Sequence, residues 1–114
     1  PDTIERLIRE MDSTRFRYCF DTGHFNVFSK IPLMDWLKCL GPYIAEVHLH
    51  NNHGRIDEHL GLGEGNFDFD SLFGFLKTLI KQPVITLEAH TKEGVLRSLE
   101  YLAKNKILNI KSQN

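Results

Sequence analysis

The sequence has few of the features that mark a secreted, membrane-spanning or nucleic-acid-binding protein. It has two cysteines, Cys19 and Cys39, in no C-x-x-C pair, so a secreted-type disulfide framework is excluded and we expect reduced thiols in a cytoplasmic protein. No run of about 18 apolar residues occurs and no signal peptide opens the chain, so no membrane segment is predicted. The formal charge is −1, which provides no overall field for nucleic acid.

What is present is the composition of one globular domain. The 114 residues are 41% hydrophobic and 25% charged, and this length supports a single domain with a modest core. We therefore treat residues 1–114 as one domain. The chain begins with Pro1 rather than Met, at the start of a predicted helix, from which we expect a longer parent protein.

Helical periodicity and short apolar runs alternate along the chain. Apolar residues at i, i+3, i+4 and i+7 predict four helices, at residues 2–11, 32–40, 68–80 and 91–104. Three strands and a candidate fourth lie between and after them, at residues 16–21, 44–50, 84–88 and 107–110. This alternation predicts an α/β fold built from βαβ units around a parallel sheet. The polar, glycine-containing stretch at 51–66 is a loop of a length that is usually functional or disordered.

Side chains that bind metals or transfer protons lie where the predicted strands end. Asp21 ends the first strand, His48 and His50 the second, and Glu88 and His90 the third. The carboxyl ends of parallel strands line the active site of α/β proteins. Each residue alone is compatible with a helix cap, a turn or a core histidine, but their joint placement favours a metal site. Mixed carboxylate and imidazole ligands suit Zn²⁺ or Mn²⁺ better than Mg²⁺.

Two short motifs add candidate ligands. In D-T-G-H, Asp21 and His24 are three residues apart across a predicted turn, so both side chains can point into one cleft. In D-E-H, the long loop supplies Asp57 and His59, and the segment L-G-E-G-N follows. The glycines of that segment let the loop turn tightly over a site.

Four motifs in order, F-D-T-G-H, V-H-L-H-N, D-E-H-L-G-L-G-E-G-N and T-L-E-A-H, resemble the xylose isomerase-like TIM barrels. That superfamily joins endonuclease IV, of the AP endonuclease family 2, with sugar-phosphate isomerases and epimerases. The match covers about residues 17–90. The resemblance implies a partial (β/α) TIM barrel, the C-terminal half, with alternating parallel strands and helices. It also implies a divalent metal, Zn²⁺ or Mn²⁺, with Co²⁺ as a further candidate.

The resemblance also implies a set of metal ligands. Asp21, His48 and Glu88 correspond to ligands of the metal shared across the superfamily. The fourth ligand of the sugar epimerases, a Glu on the preceding strand, would lie before Pro1, in a missing N-terminal half of the barrel. In the epimerases the metal polarises a carbonyl and its neighbouring hydroxyl while a pair of Glu side chains moves protons on opposite faces of the sugar. Glu88 would be one member of that pair.

Three further residues are candidates for contact with the substrate. His24 would act catalytically by hydrogen bonding the substrate near the reacting carbonyl, while Arg55 and His50 would bind it. A basic residue follows the strand histidine in the epimerase pattern, but the offset to Arg55 is one residue longer here. We therefore predict a divalent-metal-dependent sugar or sugar-phosphate isomerase or epimerase, inactive as an isolated half, with a small sugar as its partner.

Two alternatives remain open at this stage. The first is an endonuclease IV-like zinc phosphodiesterase acting on abasic DNA, in which His24, Asp57 and His59 would bind a further metal. The loop has few basic or aromatic residues for opening a duplex, which argues against a nucleic acid partner without excluding one. The second is a metal-free interaction module. In each case a half barrel leaves open sheet edges that a second copy would cover, so we predict a homo-oligomer.

Overall fold

Three parallel strands form the centre of the structure, a computed structural model that describes residues 1–12, 15–105 and 107. The strands lie in the order β1 (Tyr18–Asp21), β2 (Ile44–Leu49) and β3 (Val84–Leu87). Five α-helices occur within these residues: α1 (Asp2–Met11), α2 (Thr22–Phe28), α3 (Leu33–Leu40), α4 (Phe69–Leu76) and α5 (Lys92–Lys104). The α/β fold with a parallel sheet, predicted from the alternation of elements, is confirmed.

The register of the strands separates a core face from a polar face. Phe20 pairs with Val47, and both are at most 1% exposed. The next pair along, Asp21 and His48, points the other way because successive side chains of a strand alternate between its two faces. Helices α3, α4 and α5 contribute side chains to the core face, where the buried apolar cluster includes Phe20, Leu37, Val47, Leu49, Phe69, Leu72, Phe73, Leu76 and Leu102. This leaves the polar face with the candidate ligands.

Helix α2 was not predicted, and the turn expected at D-T-G-H is its first helical turn. Asp21 is the N-cap residue, and its Oδ1 accepts a hydrogen bond from the backbone N–H of His24 at 2.9 Å. Thr22 is fully buried and joins the helix start to the end of β2. Its hydroxyl donates to the carbonyl of His50 at 2.6 Å and accepts the His50 N–H at 3.1 Å. Hydrogen bonds therefore join the end of β1 to the start of α2 and to the end of β2.

Helix α4 ends at Leu76, four residues before the predicted end. Backbone N–H groups in three-residue turns and side chains together satisfy the carbonyls at this terminus: the Thr78 N–H donates to the carbonyl of Phe75 and the Leu79 N–H to that of Leu76. The Thr78 hydroxyl donates to the carbonyl of Phe75 at 2.6 Å, and the Gln82 amide donates to the carbonyl of Leu76 at 2.9 Å. Ile80, expected on the apolar face of this helix, is fully exposed.

The remaining predicted elements lie close to their expected positions. Helices α1, α3 and α5 match the predictions within a residue at each end, and Thr91 caps α5 by accepting the Gly94 N–H at 2.9 Å. The candidate strand at 107–110 lies outside the described residues, apart from Ile107, whose N–H donates to the carbonyl of Leu102. Within the described part of the chain, no helix has both the length and the apolar character needed to cross a bilayer.

The N-cap of α4 gives a prediction for stability. Asp68 accepts the Ser71 N–H at 3.0 Å and the Ser71 hydroxyl at 2.5 Å. Hydrogen bonds from the Ser71 side chain and backbone lower the pKa of Asp68. Replacing Asp68 by alanine is expected to lower the unfolding free energy by about 1 kcal/mol at neutral pH, measured by urea denaturation.

The loss of unfolding free energy in D68A is expected to depend on pH. Because the pKa of Asp68 is lower in the folded state, its stabilisation is present above the unfolded-state pKa of about 4 and is lost as the pH falls through the folded-state value. The difference between wild type and D68A should therefore shrink in acid. Asp68→Asn, which keeps a capping oxygen, should retain most of the stability. An undiminished D68A effect in strong acid would contradict this role.

Candidate metal centre

The carboxyl ends of the strands and the loop at 51–66 bring carboxylates and imidazoles together in what we call the strand-end cluster. The loop is pinned by an antiparallel bridge between Asn51 and Leu60 and by a 3-10 turn at Leu62–Glu64. The cluster contains Asp21, His24, Glu46, His48, His50, Asp57, His59, Glu88 and His90. Apart from Glu46, all were candidates from the sequence.

The three expected ligands of the shared metal lie together. One ligand atom from each of Asp21, His48 and Glu88 lies within 4.8 Å of the others. The Oε1 atom of Glu88 is 3.0 Å from Nδ1 of His48, and Oδ2 of Asp21 is 3.9 Å from the same nitrogen. Adjacent parallel strands place Asp21 beside His48, and Glu88 follows β3 directly, so the sheet itself sets this spacing.

Within the described residues, the hydrogen bonds that orient Asp21 all go to one of its oxygens, Oδ1. Oδ1 accepts both the His24 N–H and, at 2.7 Å, a proton from Nε2 of His50. Burial acts to raise the pKa of Asp21, but the hydrogen bonds from His50 and from the His24 backbone outweigh it, and the pKa is lowered. An ionised Asp21 thus turns its second oxygen, Oδ2, towards His48 and Glu88.

A second group of three lies next to the first. Oδ2 of Asp57 is 3.0 Å from Nε2 of His24 and 3.1 Å from Nε2 of His59. Nδ1 of His59 lies 3.1 Å from the backbone carbonyl of Glu88, which can only accept, so this nitrogen carries a proton. His59 adopts φ 53°, a left-handed conformation that is strained for a residue with a side chain. The contact with Asp57, the contact with the Glu88 carbonyl and this backbone conformation together fix the direction of the His59 ring.

The two residues expected to bind substrate lie in different environments. Arg55 is exposed on the loop, and within the described residues it is not one of the side chains that contact the cluster. His50 is completely buried. Its ring stacks on His59 at 4.0 Å between centroids, and His59 stacks on His90 at 3.9 Å. His50 thus contacts Asp21 and the histidine stack.

Unsatisfied acceptors in the cluster fit a bound cation. Nε2 of His50 donates to Asp21, which leaves a lone pair on Nδ1 in the neutral ring. That nitrogen lies 3.6 Å from Oδ1 of Asp57, and within the described residues both buried atoms have no hydrogen-bond partner. In a neutral His59 ring with its proton on Nδ1, Nε2 carries a lone pair, and this nitrogen faces Asp57. Extra positive charge, from protons or a divalent cation, would satisfy these facing acceptors.

Glu46 was missed because it lies within β2 rather than at its end. Its Oε1 atom is 2.9 Å from Nε2 of His48 and accepts the Thr86 hydroxyl at 3.0 Å. Hydrogen bonds from Thr86 and then His48 lower the pKa of Glu46, which keeps it an acceptor. Cys19, also near Glu46, is a free thiol whose pKa is raised by burial and by nearby carboxylates. The period of two along a strand places Glu46 and His48 on one face, a signal already in the sequence.

A network of asparagines fixes the loop against α2. The Asn26 amide donates to Oδ1 of Asn52 at 2.8 Å and to Oδ1 of Asn66 at 2.7 Å. Asn52 is fully buried and donates to the carbonyl of Gly23 at 3.0 Å. The loop that carries Asp57 is therefore anchored to the helix that follows Asp21.

An open cavity is lined by residues of β1, of α2 and of the segment that follows α2. Its volume is about 450 Å³, and its lining includes Asp21 and His24. The aromatic rings of Phe25 and Trp36 also line it. Among the described strands, β1 pairs only with β2, so one edge of β1 has no partner strand within the described residues.

The architecture places this chain in a class of proteins. Parallel strands that alternate with helices and carry their polar residues at the strand carboxyl ends are typical of (β/α)-barrel proteins. The model of the xylose isomerase-like TIM barrel family matches residues 1–105, and the chain belongs to that family. The partial TIM barrel implied by the sequence motifs is confirmed.

Individual relatives agree with this assignment. The chain is 32% identical over 103 residues to the "Uncharacterized protein MJ1311" of Methanocaldococcus jannaschii, and the match spans 90% of this chain and 35% of that protein. It is 34% identical over 68 residues to protein MJ1614 of the same organism, across 60% of this chain and 26% of that one. A crystal structure of a D-tagatose 3-epimerase-like protein superposes with TM-score 0.79 and 30% identity, over 96% of this chain and 42% of the other.

Proposed function

We propose that this chain is part of a divalent-metal-dependent isomerase or epimerase acting on a sugar or sugar phosphate. The observation that carries the proposal is the convergence of Asp21, His48 and Glu88 within 4.8 Å at the strand ends. The chain's similarity to a D-tagatose 3-epimerase-like protein supports it. Zn²⁺, Mn²⁺ and Co²⁺ all suit this ligand set.

The side chains have distinct roles in this proposal. Asp21, His48 and Glu88 would hold a divalent ion, which when bound would polarise a substrate carbonyl and the neighbouring hydroxyl. Glu88 would remove or return the proton on the adjacent carbon, because its carboxylate is partly exposed at the cluster. His24, whose ring is exposed to solvent, would donate a hydrogen bond to a substrate oxygen. Arg55 would bind a distal hydroxyl or phosphate from the loop.

Other parts of the polypeptide, or a second copy, would complete the site. The chain spans 35% of MJ1311 and 42% of the epimerase-like protein. Among the described strands β1 has a neighbour on one edge only, and further parallel strands would add at its other edge, because an unpaired edge favours association. We therefore expect the 114-residue chain alone to bind metal but to turn over no substrate. We also expect it to self-associate, and a monodisperse monomer in sedimentation analysis would contradict that.

Proton exchange tests the proposed chemistry. Ketoses and their phosphates would be incubated in deuterium oxide with the protein as its source organism makes it, loaded with Mn²⁺, and followed by NMR. We expect deuterium to enter the carbon next to the carbonyl of at least one substrate. Glu88→Gln, which cannot accept that proton, should lower the exchange rate by at least about 100-fold. Metal uptake without exchange into any ketose would contradict the isomerase or epimerase assignment.

A second candidate function rests on the neighbouring group of three. One ligand atom from each of His24, Asp57 and His59 lies within 4.8 Å of the others, so the cluster offers a second set of metal ligands. A multi-metal cluster would suit the hydrolysis of a phosphodiester, as in an endonuclease acting on abasic DNA. Metal content by plasma mass spectrometry separates the two. We expect one ion per chain for an epimerase, whereas two or more ions together with cleavage of abasic DNA would favour the endonuclease.

A further inference from the structure

Both ring nitrogens of His48 face carboxylates. Nδ1 is 3.0 Å from Oε1 of Glu88, and Nε2 is 2.9 Å from Oε1 of Glu46. A neutral imidazole has one N–H and one lone pair, so only one of these nitrogens can serve as a metal ligand. The proton on the other nitrogen needs an acceptor. Which carboxylate accepts it decides which side of the ring binds the metal.

Glu46 is built into the sheet as a fixed acceptor. It lies two residues before His48 on the same face of β2, opposite Cys19 on β1. Thr86, which pairs with His48 across the sheet, donates its hydroxyl to the Glu46 oxygen that contacts His48. Glu88, by contrast, follows β3 and has its second oxygen 4.0 Å from His50, at the centre of the cluster. The Glu46 carboxylate is therefore held within the sheet by Thr86, whereas the Glu88 carboxylate lies at the centre of the cluster.

We propose that Glu46 is a positioning residue: it accepts the Nε2–H of His48 and thereby presents Nδ1 as the metal-binding nitrogen. Carboxylates that accept from the far nitrogen of a ligating histidine fix its tautomer and orientation and increase its basicity. Thr86 assists by holding the Glu46 carboxylate. This inference rests on the proposed function, since it assumes that His48 binds a metal.

Zinc affinity of the 114-residue chain tests the proposal. Glu46→Gln keeps the size of the side chain but removes its charge, and we expect the Kd for Zn²⁺, measured by chelator competition, to rise by about 10–100-fold. Thr86→Val, which removes only the supporting hydroxyl, should raise it less. The chain offers a matched control in Glu58, whose Oε1 lies 3.0 Å from Nδ1 of His53 outside the cluster. Glu58→Gln should leave the Kd unchanged.

The tautomer of His48 provides a readout that a merely structural role would not change. In two-bond ¹H–¹⁵N spectra of the zinc-loaded wild type, we expect a protonated Nε2 and a metal-bound Nδ1. The Nε2–H resonance should lie downfield and exchange slowly, and in E46Q it should move upfield and exchange faster. Circular dichroism would show whether each variant is folded, and Thr86→Val serves as the test should E46Q unfold.

The outcomes separate this inference from the function on which it rests. Weaker zinc binding by E46Q with unchanged binding by E58Q supports the role of Glu46. Equal binding by wild type and E46Q, or a zinc-loaded His48 protonated on Nδ1, overturns the inference and leaves the metal site in place. A wild-type chain that takes up no zinc overturns both.

Discussion

Replacing Asp21 by asparagine is expected to weaken Zn²⁺ binding by more than about 100-fold while the fold stays intact. The loss of an outer partner of a metal ligand already costs about 10–100-fold, so the loss of a direct ligand should cost more. Asparagine can still cap α2 through its side-chain oxygen, which would accept the His24 N–H and the His50 Nε2–H as Asp21 does. The amide NH₂ would then replace Oδ2 and turn donors towards His48.

A matched control exists because a second aspartate also caps a helix. Asp68 caps α4 and lies outside the strand-end cluster, so Asp68→Asn makes the same chemical change without touching a proposed ligand. Zinc affinity by chelator competition and urea denaturation would be measured for both variants. We expect D21N and D68N to have equal unfolding free energies. The affinity for Zn²⁺ should fall in D21N alone. Wild-type affinity in D21N would show that Asp21 is not a ligand.

Replacing Gly23 by alanine is expected to destabilise the protein by about 1–3 kcal/mol, although alanine is the better helix former. A methyl group at this position in α2 would lie 2.0 Å from Cε1 and 2.4 Å from Nδ1 of His50. The His50 ring is completely buried and cannot retreat, because His59 stacks on it at 4.0 Å and His90 lies beyond. Displacing His50 would also remove its hydrogen bond to Asp21.

Gly74 provides the control for this substitution. It lies in α4, and a methyl group added there would meet no atom within 4 Å. Gly74→Ala should therefore stabilise the protein by about 0.5–1 kcal/mol, through helix propensity alone. Both variants would be compared by equilibrium urea denaturation, with zinc affinity as a second measurement. If G23A were as stable as wild type, the close packing of α2 on His50 would not be the reason for a glycine at position 23.

The sequence by itself determined the order and polarity of the elements. Apolar periodicity is a local property, so three helices and three strands were located to within about two residues. Placing Asp21, His48 and Glu88 at the strand ends required only that the strands be parallel, since parallel strands bring their carboxyl ends to one edge. Sequence patterns did not predict α2 or the end of α4, because contacts with other segments contribute to both. Gln82 helps to end α4 at Leu76, and α2 begins on a cap whose carboxylate also contacts His50.

Only the tertiary structure decided how the side chains of the cluster are oriented. His50 could have faced a substrate, but the absence of a side chain at Gly23 lets the helix approach and bury it. The direction of His59 depends on a left-handed backbone conformation and on a carbonyl 29 residues away in the chain. The Glu46 carboxylate accepts a hydrogen bond from Thr86, which lies on a neighbouring strand. Hydrogen-bond partners and close packing arise between segments distant in sequence, so local periodicity carries no record of them.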